Sequence, residues 1–217
     1  MPTTSDVNIN NVNILMPDYE LLKKVRNATE DDVPHTFSKK LHLNAKNEKS
    51  GMTPLLYAIL KKHNKTADKL IYFGADVNEP DNYGMTPLMY AIFYEHNNTA
   101  KKLIDRYADV NEPDNSGKTP LMYASDNCNL DMVKLLINKG ANVEAKSHSL
   151  TAKLIASYKL ENAENAKDKD MIDKCGEVFD LFNIALKKKH GGRRLKRRAT
   201  KKNRRVSKSK RYTRAKQ

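Results

Sequence analysis

Apolar residues along the middle of the chain recur in short blocks separated by polar breaks. Leu55 and Ala58 lie three apart, as do Leu88 and Ala91, and Leu121 and Ala124. A Leu-Ile pair follows each block, at Leu70-Ile71, Leu103-Ile104 and Leu136-Ile137. Spacing of three to four residues puts these side chains on one helical face, so each block pair predicts two short helices with a turn between them. The same pattern marks helices on either side. Leu21, Leu22 and Val25 share a face before the blocks, and Leu154, Ile155 and Tyr158 share one after them. Val178, Leu181 and Phe182 then repeat the spacing of Val133, Leu136 and Ile137.

The punctuation between blocks is as regular as the blocks. Gly51-Met52-Thr53-Pro54-Leu55 returns at Gly84 to Leu88 and again as Gly117-Lys118-Thr119-Pro120-Leu121, 33 residues apart each time. Each copy has Tyr-Ala two residues further on, at Tyr57, Tyr90 and Tyr123, and closes on Ala75 to Asn78, Ala108 to Asn111, or Ala141 to Glu144. A fixed period of this length is the mark of a stacked repeat array, whose core lies between neighbouring repeats. A threonine can cap the first helix, and proline then fills the first helical position, where its missing N–H costs nothing. Asp81-Asn82-Tyr83-Gly84 predicts a turn and Gly74 a left-handed end to the second helix.

These residues closely resemble the ankyrin family, whose signature is Gly-x-Thr-Pro-Leu-His-x-Ala with a later Gly-Ala-Asp-Val-Asn. The resemblance covers Tyr19 to about Leu186 and implies an all-α ankyrin-repeat solenoid of helix-turn-helix repeats with turn or hairpin loops. It also implies a non-enzymatic protein that presents a surface to other proteins. Two departures stand out. The family histidine is replaced by Leu56, Met89 and Met122, exchanging a polar tie for apolar packing, and Tyr107 stands where glycine is usual. A tyrosine held there in the left-handed region costs on the order of 1 kcal/mol.

The flanks set the organisation. Residues 1–17 form a polar, Asn-rich arm expected to be disordered, and 18–50 a diverged N-terminal capping repeat with a second helix from about Val33 to Lys40. The loop between Leu43 and Gly51 carries one residue more than its counterpart between Val77 and Gly84. Full repeats occupy 51–83, 84–116 and 117–149. Ala152-Lys153-Leu154 stands where Thr-Pro-Leu belongs, and the count from Ser157 to Val178 implies about 12 inserted residues, so 150–189 reads as a C-terminal cap with an extended helix pair. Residues 190–217 form a basic tail expected to be disordered.

Charge sharpens this division. The net charge of +14 over 217 residues is carried by residues 187–217, which hold 17 Lys/Arg and no Asp/Glu; the rest holds 23 Lys/Arg against 26 Asp/Glu. Lys187, Lys188, Lys189, Arg193, Arg194, Lys196, Arg197, Arg198, Lys201, Lys202, Arg204 and Arg205 resemble a multipartite nuclear import signal. The same charge density suits phosphate backbones without sequence preference, because Tyr212 is the only aromatic in the tail. Thr200 and Ser207 resemble sites for basic-directed kinases, where phosphate would cut the local charge. Cys128 and Cys175 have neither metal-ligand spacing nor a disulfide framework, which predicts reduced thiols in a cytosolic or nuclear protein. No signal peptide or membrane span is read, so nucleus or cytoplasm is expected and secretion is not. The Asn- and Lys-rich wording, the few repeats and the Gly-Gly start of the tail resemble in style the ankyrin proteins of large DNA viruses. No ligase-docking segment of the kind some of those carry is apparent after Leu150.

Catalytic motifs, phosphate loops, metal clusters and cofactor sites are not read in the chain. His63 and His96 recur with the period and read as loop residues between helices, and Asp76, Asp81, Asp109 and Asp114 as structural. Asn27, Asn64 and Asn97 begin Asn-x-Thr triplets that look like glycosylation acceptors; with no secretion signal read, they are taken as turn and cap residues. Carried over by position, the family's recognition surface contains Leu60 and Lys61, then Pro80, Asn82, Tyr83, Met85, Phe93 and Tyr94, then Asn115, Ser116, Lys118, Asp126 and Asn127. Tyr83, Met85, Phe93 and Tyr94 place large apolar groups where polar ones are ordinary, a hot-spot composition; packing in the helix interface is the alternative for Phe93. The expected partner is another protein bound by a monomer, with nucleic acid reached only through the tail.

Overall fold

The computed structural model describes residues 43–189. Its helices are α1 (Pro54–Leu60), α2 (Asn64–Tyr72), α3 (Pro87–Phe93), α4 (Asn97–Asp105), α5 (Pro120–Asp126), α6 (Leu130–Asn138), α7 (Ala152–Ala166) and α8 (169–189). Among the described residues no strand forms, and the one β-type contact is an isolated bridge between Ser147 and Leu150. The architecture is the all-α repeat expected. The N-terminal arm, the helices expected between Tyr19 and Lys40, and the tail from 190 lie outside the described residues.

The chain forms two compact units, one ending at Asn115 and one beginning at Ser116. In the first, α1 packs on α2 and α3, α3 on α4, and α2 on α4. Leu55, Leu56, Ile59, Leu70, Leu88, Met89, Ile92 and Leu103 are fully buried in it, each worth about 2 kcal/mol as apolar area removed from water. Leu56 and Met89 thus fill the family histidine's position as core residues.

Helix starts follow the local chemistry. Thr53 and Thr86 accept hydrogen bonds from the N–H groups of Leu56 and Met89, each at 3.3 Å, with Pro54 and Pro87 as the first helical residues. Thr119 makes no such bond, and its buried hydroxyl has no partner. His63 and His96 stand at the caps of α2 and α4 without capping them, whereas Asn129 caps α6 through Met132 N–H at 3.1 Å. Asn64 and Asn97 are the first helical residues of α2 and α4, and the threonines of their triplets, Thr66 and Thr99, are buried.

The loop between the first two full repeats is built around one carboxylate. Asp81 is buried, and its Oδ1 accepts from the N–H groups of Tyr83 and Met85, both at 2.9 Å, while Oδ2 accepts from the Tyr90 hydroxyl at 2.8 Å. In the preceding loop Asn47 takes this place. Its N–H donates to the Met52 carbonyl at 2.9 Å, where Asp81 donates to Met85 at 3.1 Å, so the ring is one residue wider. That is where the single inserted residue sits. Successive loops are tied by asparagines. Asn44 accepts from Asp76 N–H and Asn78 from Asp109 N–H, both at 2.8 Å, and the amides of Asn82 and Asn115 donate to the carbonyls of Lys49 and Asn82 at 3.1 and 2.9 Å. This contact is so close that a Cβ at Gly51 or Gly84 would lie 2.7 Å from the backbone nitrogen of Asn82 or Asn115.

Helices end in left-handed residues, and most are not glycine. Lys62, Glu95 and Cys128 have φ of 58°, 58° and 49° after α1, α3 and α5, a cost that nothing in their sequence announces. After the second helices, Gly74 and Gly140 adopt φ of 88° and 92°, and Tyr107 adopts 66° in the same role, as its alignment with the family glycine implied. Its N–H donates to the Ile104 carbonyl at 3.1 Å, and its side chain is 90% exposed.

The second unit contains the extended helix pair, with two corrections. Thr151 caps α7 through Leu154 N–H at 3.3 Å, so its register is 32 residues after Thr119 and not 33; Leu154 matches Met122, and Ala156 matches Ala124. The polar stretch from Glu161 is mostly helical, and the turn is Lys167, left-handed at φ 56°, with Asp168 capping α8 through Met171 N–H at 3.1 Å. Cys175, Val178 and Phe182 form the buried face of α8. The expectation of reduced thiols is overturned. Cys128 and Cys175 form a disulfide with their Cα atoms 4.9 Å apart. The extended helix pair brings α8 back to the end of α5, a meeting hidden by a sequence separation of 47 residues.

Two outcomes are expected in melting experiments. Tyr107→Gly raises the melting temperature by a few degrees, corresponding to about 1 kcal/mol of relieved backbone strain; an unchanged or lower value overturns this account. Closing a loop of this length is worth about 4 kcal/mol in the chain-entropy treatment. Full reduction therefore lowers the wild-type melting temperature by roughly 10 °C and leaves that of Cys175→Ser unmoved.

Candidate functional site

The middle repeat places its aromatic residues from the loop and helix just described. With the Asp81 carboxylate holding the backbone of Tyr83 and Met85, the Tyr83 side chain is directed outward and is 72% exposed, while Met85 is half-buried. At the end of α3, Phe93 and Tyr94 meet edge to face with ring centroids 5.0 Å apart, and Tyr94 stacks on Tyr90 at 6.2 Å. Phe93 is 45% exposed, which places part of its ring at the surface and not wholly in a helix interface. Tyr94 is half-buried, and burial raises its phenol above the ordinary value. Leu60, at the end of α1, is half-buried. The amides of Asn82 and Asn115 are engaged in the loop ties, so these two residues act first as framework.

Behind this cluster lies His96, whose ring is 6.1 Å from that of Tyr94. Neither ring nitrogen has a hydrogen-bond partner, and both are shielded from water. Burial, followed by the nearby Lys62 ammonium, lowers its pKa below the ordinary imidazole value. Folding therefore favours the neutral ring.

In the second unit, Lys118 and Asp126 fall on one cleft. Its walls are Met122 and Tyr123 of α5 and Leu154, Ile155 and Tyr158 of α7, with Leu150 at the lip and a volume of about 330 Å³. The Lys118 ammonium lies 5.7 Å over the Tyr123 ring, and Asp126 is paired with Lys159 at 3.1 Å. Leu150, Leu154 and Tyr158 are 45%, 48% and 64% exposed. The sequence reading took Leu154, Ile155 and Tyr158 only as marks of a helix. The signal that could have found the cleft is Thr151: read as the cap, it moves Leu154 onto the Met122 position, which the preceding repeats bury at 0–1%.

Of the basic residues, Lys187, Lys188 and Lys189 occupy the end of α8, where Lys189 pairs with Glu144 at 2.7 Å. Arg193 to Arg205, Thr200 and Ser207 lie outside the described residues. Among the described residues no group of three or more His, Cys, Asp or Glu is placed to hold a metal ion, and no helix is long and apolar enough to cross a membrane.

The family profile for ankyrin repeats in three copies matches residues 21–114, and that for a single ankyrin repeat matches 116–148. The chain belongs to the ankyrin-repeat family. Ankyrin repeats generally mediate contacts between proteins, and the Asp81-centred loops and short helix pairs are the frame on which this chain carries its exposed aromatic residues. No curated protein is significantly similar to the chain.

The His96 geometry gives a pH dependence. With its pKa lowered on folding, the ring contributes stability that is present above the ordinary value of 6.5 and is lost as pH falls through the folded value. The melting temperature should fall as the pH drops below about 6.5, and His96→Gln should flatten that slope measurably. Equal slopes for the two proteins would mean that His96 is not the group responsible.

Proposed function

We propose that this ankyrin-repeat protein is a non-enzymatic interaction scaffold. It binds another protein as a monomer, with Tyr83, Phe93 and Tyr94 as the centre of the contact and Leu60 and Met85 in supporting positions. The observation that carries this reading is the exposure of Tyr83, on a loop whose backbone is held by Asp81, and of Phe93, at the end of α3. Rigid aromatic groups lose little entropy on binding, and they supply most of the energy in many interfaces.

The Lys/Arg tail supports a second element of the proposal, in which it directs the protein to the nucleus or keeps it near nucleic acid, with Thr200 and Ser207 as points where phosphate would weaken the attraction. The Asn- and Lys-rich style supports origin in a large DNA virus, with a host protein as the partner. A packaging protein acting mainly through the tail is the second reading, favoured by the segregation of 17 Lys/Arg into residues 187–217.

In the full-length protein, Tyr83→Ala with Phe93→Ala is expected to lose a crosslinked cellular partner while the melting temperature stays the same; loss of both would make the aromatic pair part of the framework. Exchanging the basic residues between Arg193 and Arg205 for Gln should reduce the nuclear fraction and leave partner capture intact. If the unaltered protein binds DNA tightly at physiological salt and the exchanged protein does not, the packaging reading takes over.

A further inference from the structure

We propose that the outer face of α8 is a docking site for the first part of the chain's own basic tail, residues 193–202, and that docking withholds those cations from nucleic acid. The proposal rests on the tail reading above only for its consequence, since docking itself needs no nucleic acid. Cys175, Val178 and Phe182 turn one side of α8 to the core. On the opposite side Asp170, Asp173, Glu177, Asp180 and Ile184 follow at intervals of three, four, three and four residues, which puts them in one line down the helix, and all five are exposed. Asp170, Asp173 and Glu177 lie in the stretch that carries the insertion, so the stacking of repeats does not call for them. The second helices of earlier repeats carry exposed cations instead, at Lys65 of α2 and at Lys101 and Lys102 of α4. Ile184 is 52% exposed, an apolar group left open at the end of a line of carboxylates.

An acidic helix face alone is a solvated surface; the chain that follows gives this one its occupant. Residues 190–217 hold 14 Lys/Arg, no Asp or Glu, and only Leu195 and Val206 as aliphatic side chains larger than alanine. The helix ends at 189, and Gly191-Gly192 permits the reversal that brings the next residues back along it. An extended chain advances about 3.3 Å per residue and a helix about 1.5 Å, so each tail residue passes roughly two residues of α8. With the reversal at 190–192, Leu195 falls beside Ile184, Lys196 to Arg198 beside Asp180, Glu177 and Asp173, and Lys201 beside Asp170. The apolar pair and the charge pairs thus meet in a single register. Lys174 already pairs with Asp170 at 2.6 Å, so the contact is strongest toward Asp173, Glu177 and Asp180. Exposed ion pairs are individually weak, and docking therefore depends on their number and is lost in salt. A phosphate backbone must displace α8 before it gains the cations from Lys196 to Lys202.

The test uses the full-length protein and needs no partner. A carbodiimide, which joins a lysine to a carboxylate in contact with it, is expected to link Lys196 to Asp180 or Glu177 and Lys201 to Asp170 within one chain. Trypsin should cut after Arg197 and Arg198 about fivefold more slowly than in the triple variant Asp173→Asn, Glu177→Gln, Asp180→Asn, and the difference should vanish at about 0.5 M salt. Cleavage after Lys208 and Lys210, beyond the register, should be the same in both proteins. Leu195→Ser, a change outside α8, should lose about half of the protection, and it reports on docking even if the triple variant is less stable. The triple variant should bind a random-sequence DNA duplex roughly fivefold more tightly than the unaltered protein. Equal cleavage in all three proteins, or crosslinks scattered over the body, overturns the proposal, and equal DNA affinity overturns the withholding of cations. Crosslinks between isotopically labelled and unlabelled chains overturn it as well, since a second copy would then be the occupant. Protection and crosslinks with no DNA binding by any variant would leave the docking standing and sink the nucleic-acid role of the tail.

Discussion

Much of this structure depends on how closely one loop can lie on the next. In the first unit the backbone nitrogens of Asn82 and Asn115 approach Gly51 and Gly84 at a distance that excludes a side chain, and the asparagine amides close the gap with hydrogen bonds to the Lys49 and Asn82 carbonyls. That approach sets the spacing at which α1 meets α3 and lets Leu56 and Met89 be buried completely. The loss of the family histidine is therefore less consequential than its position suggests. In the loop before α3 the polar organisation has passed to Asp81 and the Tyr90 hydroxyl, and the ties between loops are made by asparagines, which gives the abundance of that residue a physical meaning.

The same frame explains why the surface chemistry is concentrated in a few places. Backbone groups in the loops are satisfied within the frame, so an exposed side chain such as Tyr83 can vary without disturbing the fold. At the end of the described array the logic changes. No regular repeat follows α7, and the chain instead lengthens its last helix pair and bonds Cys175 of α8 to Cys128 at the end of α5. A disulfide there removes the reduced thiols as an argument for a cytosolic or nuclear setting and itself favours an oxidising one, so it and the basic tail bear on location in opposite directions.

Local chemistry was legible wherever one residue type has one physical use. The threonine caps, the prolines in first helical positions and the left-handed Gly74 follow from neighbours a few positions away, whereas the left-handed Tyr107 follows from alignment with the family glycine and the extra residue between Leu43 and Gly51 from comparing loop lengths. The left-handed Lys62, Glu95 and Cys128 were not legible, because their conformation is imposed by how α1, α3 and α5 must end against the following helix and not by the residues themselves. Leu154 was misplaced for a related reason: counting a fixed period of 33 overrode Thr151, whose hydroxyl starts the helix one residue earlier.

The sequence by itself determined the repeat, its helix pairs, its family and the separation of a mildly acidic body from a basic tail, because these depend on periodicity, on turn chemistry and on composition. Only the tertiary structure decided which side chains face outward and which distant residues meet. The disulfide joins positions 47 residues apart, and the cleft assembles Lys118, in the loop before α5, with Tyr158 of α7. Such meetings depend on the length and direction of every element between the partners, a sum that no local pattern contains.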